Sequence, residues 1–178
     1  MKVLVPVAQG YEEIETNTII DVLRRAGMDV VTAGVPSTML NGMHNVKMMA
    51  DRRLDEVKNE DFDAIVLPGG APAYDNLSRS QTVLDLIRKF DSEKKIVAAI
   101  CGSPVVLAKA GIIDKRRATI YPGMEKELMM PRDGPVVKDD HIITSQGPGT
   151  SIEFSLAIVS ELLGKEISER VRKELVHV

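Results

Sequence analysis

The residues of this chain best suited to chemistry lie in three short segments. Cys101, its one cysteine, closes an apolar run and is followed by Gly102, Ser103 and Pro104. A thiol at the start of a helix feels unpaired N–H groups and the positive end of the helix dipole. Both favour thiolate, so its pKa is expected below the free value of ~8.5. Gly102 and Ser103 permit a sharp strand-to-helix turn of the nucleophile-elbow kind. The plainer alternative is a small buried hydrophobe.

Glu12, Glu13 and Glu15 form the second segment. Carboxylates at a helix start are ordinary dipole partners. A carboxyl beside a thiolate, however, has its own pKa raised and can donate a hydrogen bond to sulfur. Glu15 is the candidate for that role. Gly69 and Gly70 form the third segment. Backbone N–H groups there can approach a developing oxyanion, or the pair is a plain turn. Tyr121-Pro122 ends another apolar stretch and can face the same pocket, or Tyr121 is simply half-buried.

Other residue types point away from metal and nucleic acid. His44, His141 and His177 are scattered and show no metal-ligand spacing. One cysteine cannot build a thiolate cluster or an internal disulfide, which fits a reducing compartment. No GxGxxG or P-loop pattern occurs. The basic triplet 115–117 reads as a solvated turn. The net charge of −3 and the absence of tryptophan argue against a phosphate-backbone or base-stacking surface. Met39, Met43, Met48, Met49, Met124, Met129 and Met130 are expected as core filling rather than as an adaptable surface.

Elements must bring the three segments together. KVLVPVA, residues 10–27 and MDVVTAGV read as strand, helix, strand, with Gly27 where a helix ends. Residues 36–50 hold an Asn41-Gly42 turn signal and a small hairpin. Leu54 to Asp61 reads as a short helix and DAIVLPGG as a buried strand. Ser80 to Asp91 is an amphipathic helix and KKIVAAI a second buried strand. Pro104 opens a helix that Gly111 closes. ATIYP reads as a strand, and Gly123 to Pro135 as irregular or a short helix. VVKDDHIITS reads as a hairpin with Asp139-Asp140 at its tip. Thr150 and Glu153 have capping-box spacing before SLAIVSELLG, and a last helix runs from about Glu166 to Leu175.

The alternation implies an α/β fold, a flavodoxin-like three-layer sandwich with a mostly parallel sheet. The whole of residues 1–178 reads as a single domain. No run reaches the ~18 apolar residues of a membrane span, and no leader is apparent. The expectation is a cytoplasmic protein with neither membrane nor nucleic-acid partner.

GYEEIETNTIIDVLRRAG, DAIVLPGG, IVAAICGSP and TSQGPGTSIEFSLAIV, in that order, resemble the ThiJ/PfpI superfamily over nearly the whole chain. The similarity is to its Parkinson-disease-associated, protein deglycase-like branch. It implies a homodimer with Ile14 and Arg25 of the first helix near the contact. It implies Cys101 as a reactive, oxidation-prone thiol, and Glu15 as a protonated partner. Gly70 and Gly102 become the backbone donors, with no cofactor and a small carbonyl substrate such as methylglyoxal. A human member has His before the proline where this chain has Tyr121. Tyrosine is a poor base near neutrality, so a low glyoxalase or deglycase rate is expected. The alternative is a redox-sensing, chaperone-like protein in which Cys101 stops at sulfinate. A cysteine peptidase is disfavoured, because Gly102 stands where that branch has His.

Overall fold

The computed structural model describes residues 1–177. The chain opens with strand β1 (Lys2–Ala8), helix α1 (Glu13–Arg25) and strand β2 (Asp29–Val35). A small hairpin, β3 (Met39–Asn41) and β4 (Lys47–Met49), stands apart as its own two-stranded sheet. Then come β5 (Arg52–Arg53), α2 (Leu54–Val57), β6 (Ala64–Leu67), α3 (Ala71–Arg79), α4 (Gln81–Ser92) and β7 (Ile96–Ile100). The chain continues with α5 (Pro104–Ala110), β8 (Val136–Asp139), β9 (Ile142–Ser145), α6 (Ser151–Leu163) and α7 (Lys165–Glu174).

The main sheet has seven strands in the order β5-β2-β1-β6-β7-β9-β8. All its pairings are parallel except β8 with β9. This is the expected α/β sandwich. β1, β6 and β7 carry side chains buried on both faces, as a sheet covered by helices on each side requires. The chain leaves β1 toward β2 on one side and returns through β6 and β7 on the other. The strand order therefore reverses beside β1, and the crevice at the carboxyl ends of such strands is where α/β sheets bind ligands. The three candidate segments lie at the ends of β1, β6 and β7.

Two elements differ from the sequence reading. Residues 118–122 form no strand beyond one isolated bridge from Ala118 to Pro131. β7 pairs directly with β9, so no place remains between them. The backbone of this stretch bonds elsewhere: the Thr119 N–H donates to Thr144 Oγ1 at 2.9 Å, and the Tyr121 N–H to the Cys101 carbonyl at 2.9 Å. The capping box of Thr150 and Glu153 does not form. Thr150 instead donates its hydroxyl to the Gly147 carbonyl and accepts from the Gly147 N–H.

Helix α3 carries no strong sequence signal, since its buried apolar residues reduce to Ala73 and Leu77. Pro72 in its first turn and the positive φ of Gly70 at its cap set its start. The methionines are another difference. Met39, Met43, Met49, Met129 and Met130 are exposed, while Met48 and Met124 are partly buried against the core. The exposed five belong to hairpin and loop surfaces, and of the seven only Met48 and Met124 add to the packed interior.

Candidate active site

Cys101 occupies the turn between β7 and α5 with φ +63°. Left-handed backbone is costly for a side chain with a Cβ, and it persists only where the surroundings hold it. Here they do. The Cys101 N–H donates to the Ser145 carbonyl at 3.0 Å, and the Cys101 carbonyl accepts from Tyr121. Gly102 is required next to it, because a Cβ there would stand 2.4 Å from the Tyr74 ring. The elbow expected from Cys101-Gly102-Ser103-Pro104 is therefore present, with Pro104 opening α5.

The first turn of α1 brings the carboxyl. Glu12 is the N-cap and accepts from the Glu15 N–H at 2.7 Å. Glu15 itself is fully buried. Its Oε2 accepts from the Gly69 N–H at 2.8 Å, while its Oε1 has no nitrogen or oxygen donor. Carboxyl and thiol lie close together, with Glu15 Oε2 at 2.5 Å and the Cys101 Sγ at 3.1 Å from where a Cβ on Gly69 would stand, and the Gly70 and Gly102 N–H groups favour the thiolate. Gly70 adopts φ +111°, and a Cβ on it would lie 2.1 Å from the Gly10 carbonyl oxygen. Only glycine brings that N–H so close.

The electrostatics correct one expectation. Burial, then the Glu15 carboxylate, pushes the Cys101 thiol up to about 12, against the pull of the Gly70 and Gly102 N–H groups. The helix end does not lower it, because the cap of α5 is Ser103, two residues on. Burial also pushes Glu15 up to about 7. Two acids in one buried site titrate as a unit. The first proton leaves the pair near neutrality, and the second leaves only in strong alkali.

The remaining single charge is better held on sulfur. The sulfur receives two backbone N–H groups and lies in a partly exposed residue. Glu15 is sealed from solvent and has one N–H. A proton on Glu15, donated to the thiolate, also accounts for the unpartnered Oε1.

Tyr121 is 46% exposed, its ring lies over Gly147 beside the exposed Pro122, and its backbone N–H ties it to the Cys101 carbonyl. Tyr74 of α3 belongs to the site and was not foreseen from the sequence. It packs on Gly102, and burial, followed by nearby negative charge that includes Cys101, raises its phenol. A tyrosine four residues beyond Gly70 was the only available signal.

Of the histidines, His141 is buried, with Nδ1 at 2.9 Å from Asp140 and Nε2 at 2.8 Å from Asp91. His44 bonds Glu13 at 2.8 Å, and Glu12, Glu13 and His44 could together present three ligand atoms to a metal. Those atoms already have partners: Glu13 accepts from the His44 backbone and ring, and Glu12 caps α1. In the basic triplet, Arg116 pairs with Asp91 and Arg117 with Asp139. Among the described residues no helix is long and apolar enough to cross a membrane.

Known proteins are similar to this chain over nearly its whole length. Residues 1–161 match the model of the DJ-1/PfpI family. Protein dj-1beta of Drosophila melanogaster is 42% identical over 97% of this chain and 95% of that protein. Glutathione-independent glyoxalase DJR-1.2 of Caenorhabditis elegans is 34% identical over 94% of this chain and 91% of its own length. The solved structure of oxidized Toxoplasma gondii DJ-1 superposes with a TM-score of 0.97, at 36% identity, over 99% of this chain and 98% of that one. From the β1–α1 unit to the helix after the Thr144–Thr150 loop, then, the chain belongs to the DJ-1/PfpI family.

Proposed function

We propose that this chain is a cysteine-dependent enzyme of the glyoxalase/deglycase type, acting on 2-oxoaldehydes such as methylglyoxal or on their early protein adducts. The observation that carries this reading is the buried Glu15 carboxyl set against the Cys101 thiol across Gly69, with the Gly70 and Gly102 N–H groups favouring the thiolate. The similarity to a glutathione-independent glyoxalase supports it.

In this mechanism the Cys101 thiolate adds to the aldehyde carbon, and its oxygen takes the proton from Glu15 to give a hemithioacetal. The N–H groups of Gly70 and Gly102 stabilise the oxyanion as it develops. Glu15, now a carboxylate, removes the proton from the former aldehyde carbon and returns it to the neighbouring carbon. The hydroxyl proton of the hemithioacetal passes to the neighbouring oxygen, and a thioester of the 2-hydroxy acid results. Water cleaves it to the acid and regenerates the Cys101–Glu15 pair. Every step uses groups of this chain and water. Lactate formation from methylglyoxal by the wild type, lost in Cys101→Ala, tests the reading. Unchanged activity in that variant overturns it.

The same geometry favours a second reading, in which peroxide converts Cys101 to sulfinate and the protein acts as a redox sensor or chaperone. The Glu15 proton and the two N–H groups would then bond the sulfinate oxygens. Mass measurement after mild peroxide, alongside methylglyoxal turnover, separates the two.

We also place a homodimer contact on α1 and the β3–β4 hairpin. Ile14, Met39, Met43, Val46 and Met49 expose apolar side chains there, and Arg25 of the same helix pairs with Asp21. Several large apolar side chains exposed on neighbouring elements support such a contact. Sedimentation of the wild type and of Met49→Glu checks it: a monomeric wild type contradicts the contact.

A further inference from the structure

We propose that Ser103 is a positioning residue that sets the distance between the Cys101 sulfur and the backbone donors of Gly70. The thiol and these donors sit on different strands. β6 and β7 are hydrogen-bonded in parallel from Ala64–Ile96 up to Leu67–Ala99. Beyond that point the ladder ends, yet the chemistry lies two to three residues further along each chain segment, at Gly69–Gly70 and Cys101–Gly102. Pro68 cannot extend the ladder as a donor, since it has no N–H.

The Ser103 hydroxyl supplies the missing tie. It donates to the Pro68 carbonyl at 2.6 Å and is fully buried. Pro68 directly precedes Gly69 and Gly70, and Ser103 follows Cys101 by two residues. One bond thus joins the end that carries the N–H donors to the elbow that carries the thiol. From the other side, α1 clamps the same loop: the Glu12 N–H donates to the Gly69 carbonyl at 3.0 Å, and Glu15 accepts from Gly69. Without Ser103, the Gly69–Gly70 loop would keep its bonds to α1 and to α3, where the Tyr74 N–H donates to the Gly70 carbonyl at 3.1 Å, but would lose its direct hydrogen bond to the elbow, and its register there could widen. The Pro68 carbonyl would also be left buried without this partner. A widened gap weakens the pull of the Gly70 N–H on the sulfur and disfavours the thiolate.

This inference rests on Cys101 being the reactive thiol, but its test does not need methylglyoxal turnover. The pH dependence of Cys101 alkylation by iodoacetamide is followed by mass in the wild type, Ser103→Ala and Ser103→Thr, with circular dichroism and melting as fold controls. The expected result is a folded Ser103→Ala protein whose profile moves up by about one pH unit, equivalent to alkylation about tenfold slower below the transition. Ser103→Thr keeps the hydroxyl and returns the wild-type profile. A wild-type profile in Ser103→Ala overturns the proposal, whatever its melting temperature. So does failure of Ser103→Ala to fold, which would make the hydroxyl a support of the fold. A shift in Ser103→Thr equal to that in Ser103→Ala would remove the hydroxyl as the agent. If the wild type makes no lactate, the proposed reaction fails, and this test still stands.

Discussion

Glu15 and Cys101 meet across Gly69 with no room for a side chain between them: a Cβ at position 69 would lie 2.5 Å from Glu15 Oε2 and 2.5 Å from the Cys101 Cβ. The glycine is thus what lets a helix-borne carboxyl and a strand-end thiol share one proton.

Gly69→Ala must therefore push one partner away. Displacement of this order costs about 10²-fold in rate. We expect methylglyoxal turnover to fall by about that factor, with the Cys101 alkylation profile moved. Turnover within about twofold of the wild type would contradict the close approach.

Stability carries the mark of the same pair. Burial delays the first proton loss of the Glu15–Cys101 pair to about 7 in the folded protein, above the ordinary 4.5 of a glutamate. Between those values the folded state binds more protons than the unfolded one, so stability falls as pH rises from about 4.5 to about 7. The full effect is on the order of 3 kcal/mol. Melting temperature measured across this window should decline in the wild type, and Glu15→Gln should flatten the decline.

Gly102 and Tyr74 should behave as a coupled pair. Gly102→Ala drives a methyl into the Tyr74 ring, and overpacking of this kind costs about 1–3 kcal/mol. Tyr74→Ala opens the space. Denaturant unfolding of both single variants and the double variant should show that the double variant loses less than the singles added together.

Tyr121→His should raise turnover. Tyr121 bonds the Cys101 carbonyl through its N–H, but a phenol is a weak base at neutral pH. A positioned imidazole supplies general-base help, and a gain of about tenfold is expected, the lower side of what such groups contribute. Steady-state rates on methylglyoxal check it.

Much of the fold was legible in the sequence because its central strands are buried on both faces and several helices carry end signals, such as Ser80 before α4 and Pro104 and Gly111 at the ends of α5. Val3 to Ala8, Ile65 to Leu67 and Ile96 to Ile100 read as strands for that reason. Residues 118–122 misled because an apolar run signals burial, not pairing, and β9 already occupied the neighbouring place. Glu15, Gly69, Gly70, Cys101 and Gly102 were each visible as residue types at strand ends. Their convergence depended on strand order, which no local pattern states. Tyr74 and Ser103 stayed hidden as site residues for the same reason, since their partners lie 28 and 35 positions away at Gly102 and Pro68. The sign of the Cys101 shift was missed because the helix end is local, whereas burial and Glu15 are not.

The central claim is that Glu15 keeps the pair's remaining proton and leaves the charge on sulfur. The most direct measurement is the rate of Cys101 alkylation against pH in the wild-type protein, read by mass, with Cys101→Ala as the blank. The account predicts that the rate rises with an apparent pKa close to the 7 of the pair's first proton loss. A rate that stays flat through neutrality and climbs only in alkali, toward the 12 of the second loss, would put the charge on Glu15 and contradict it.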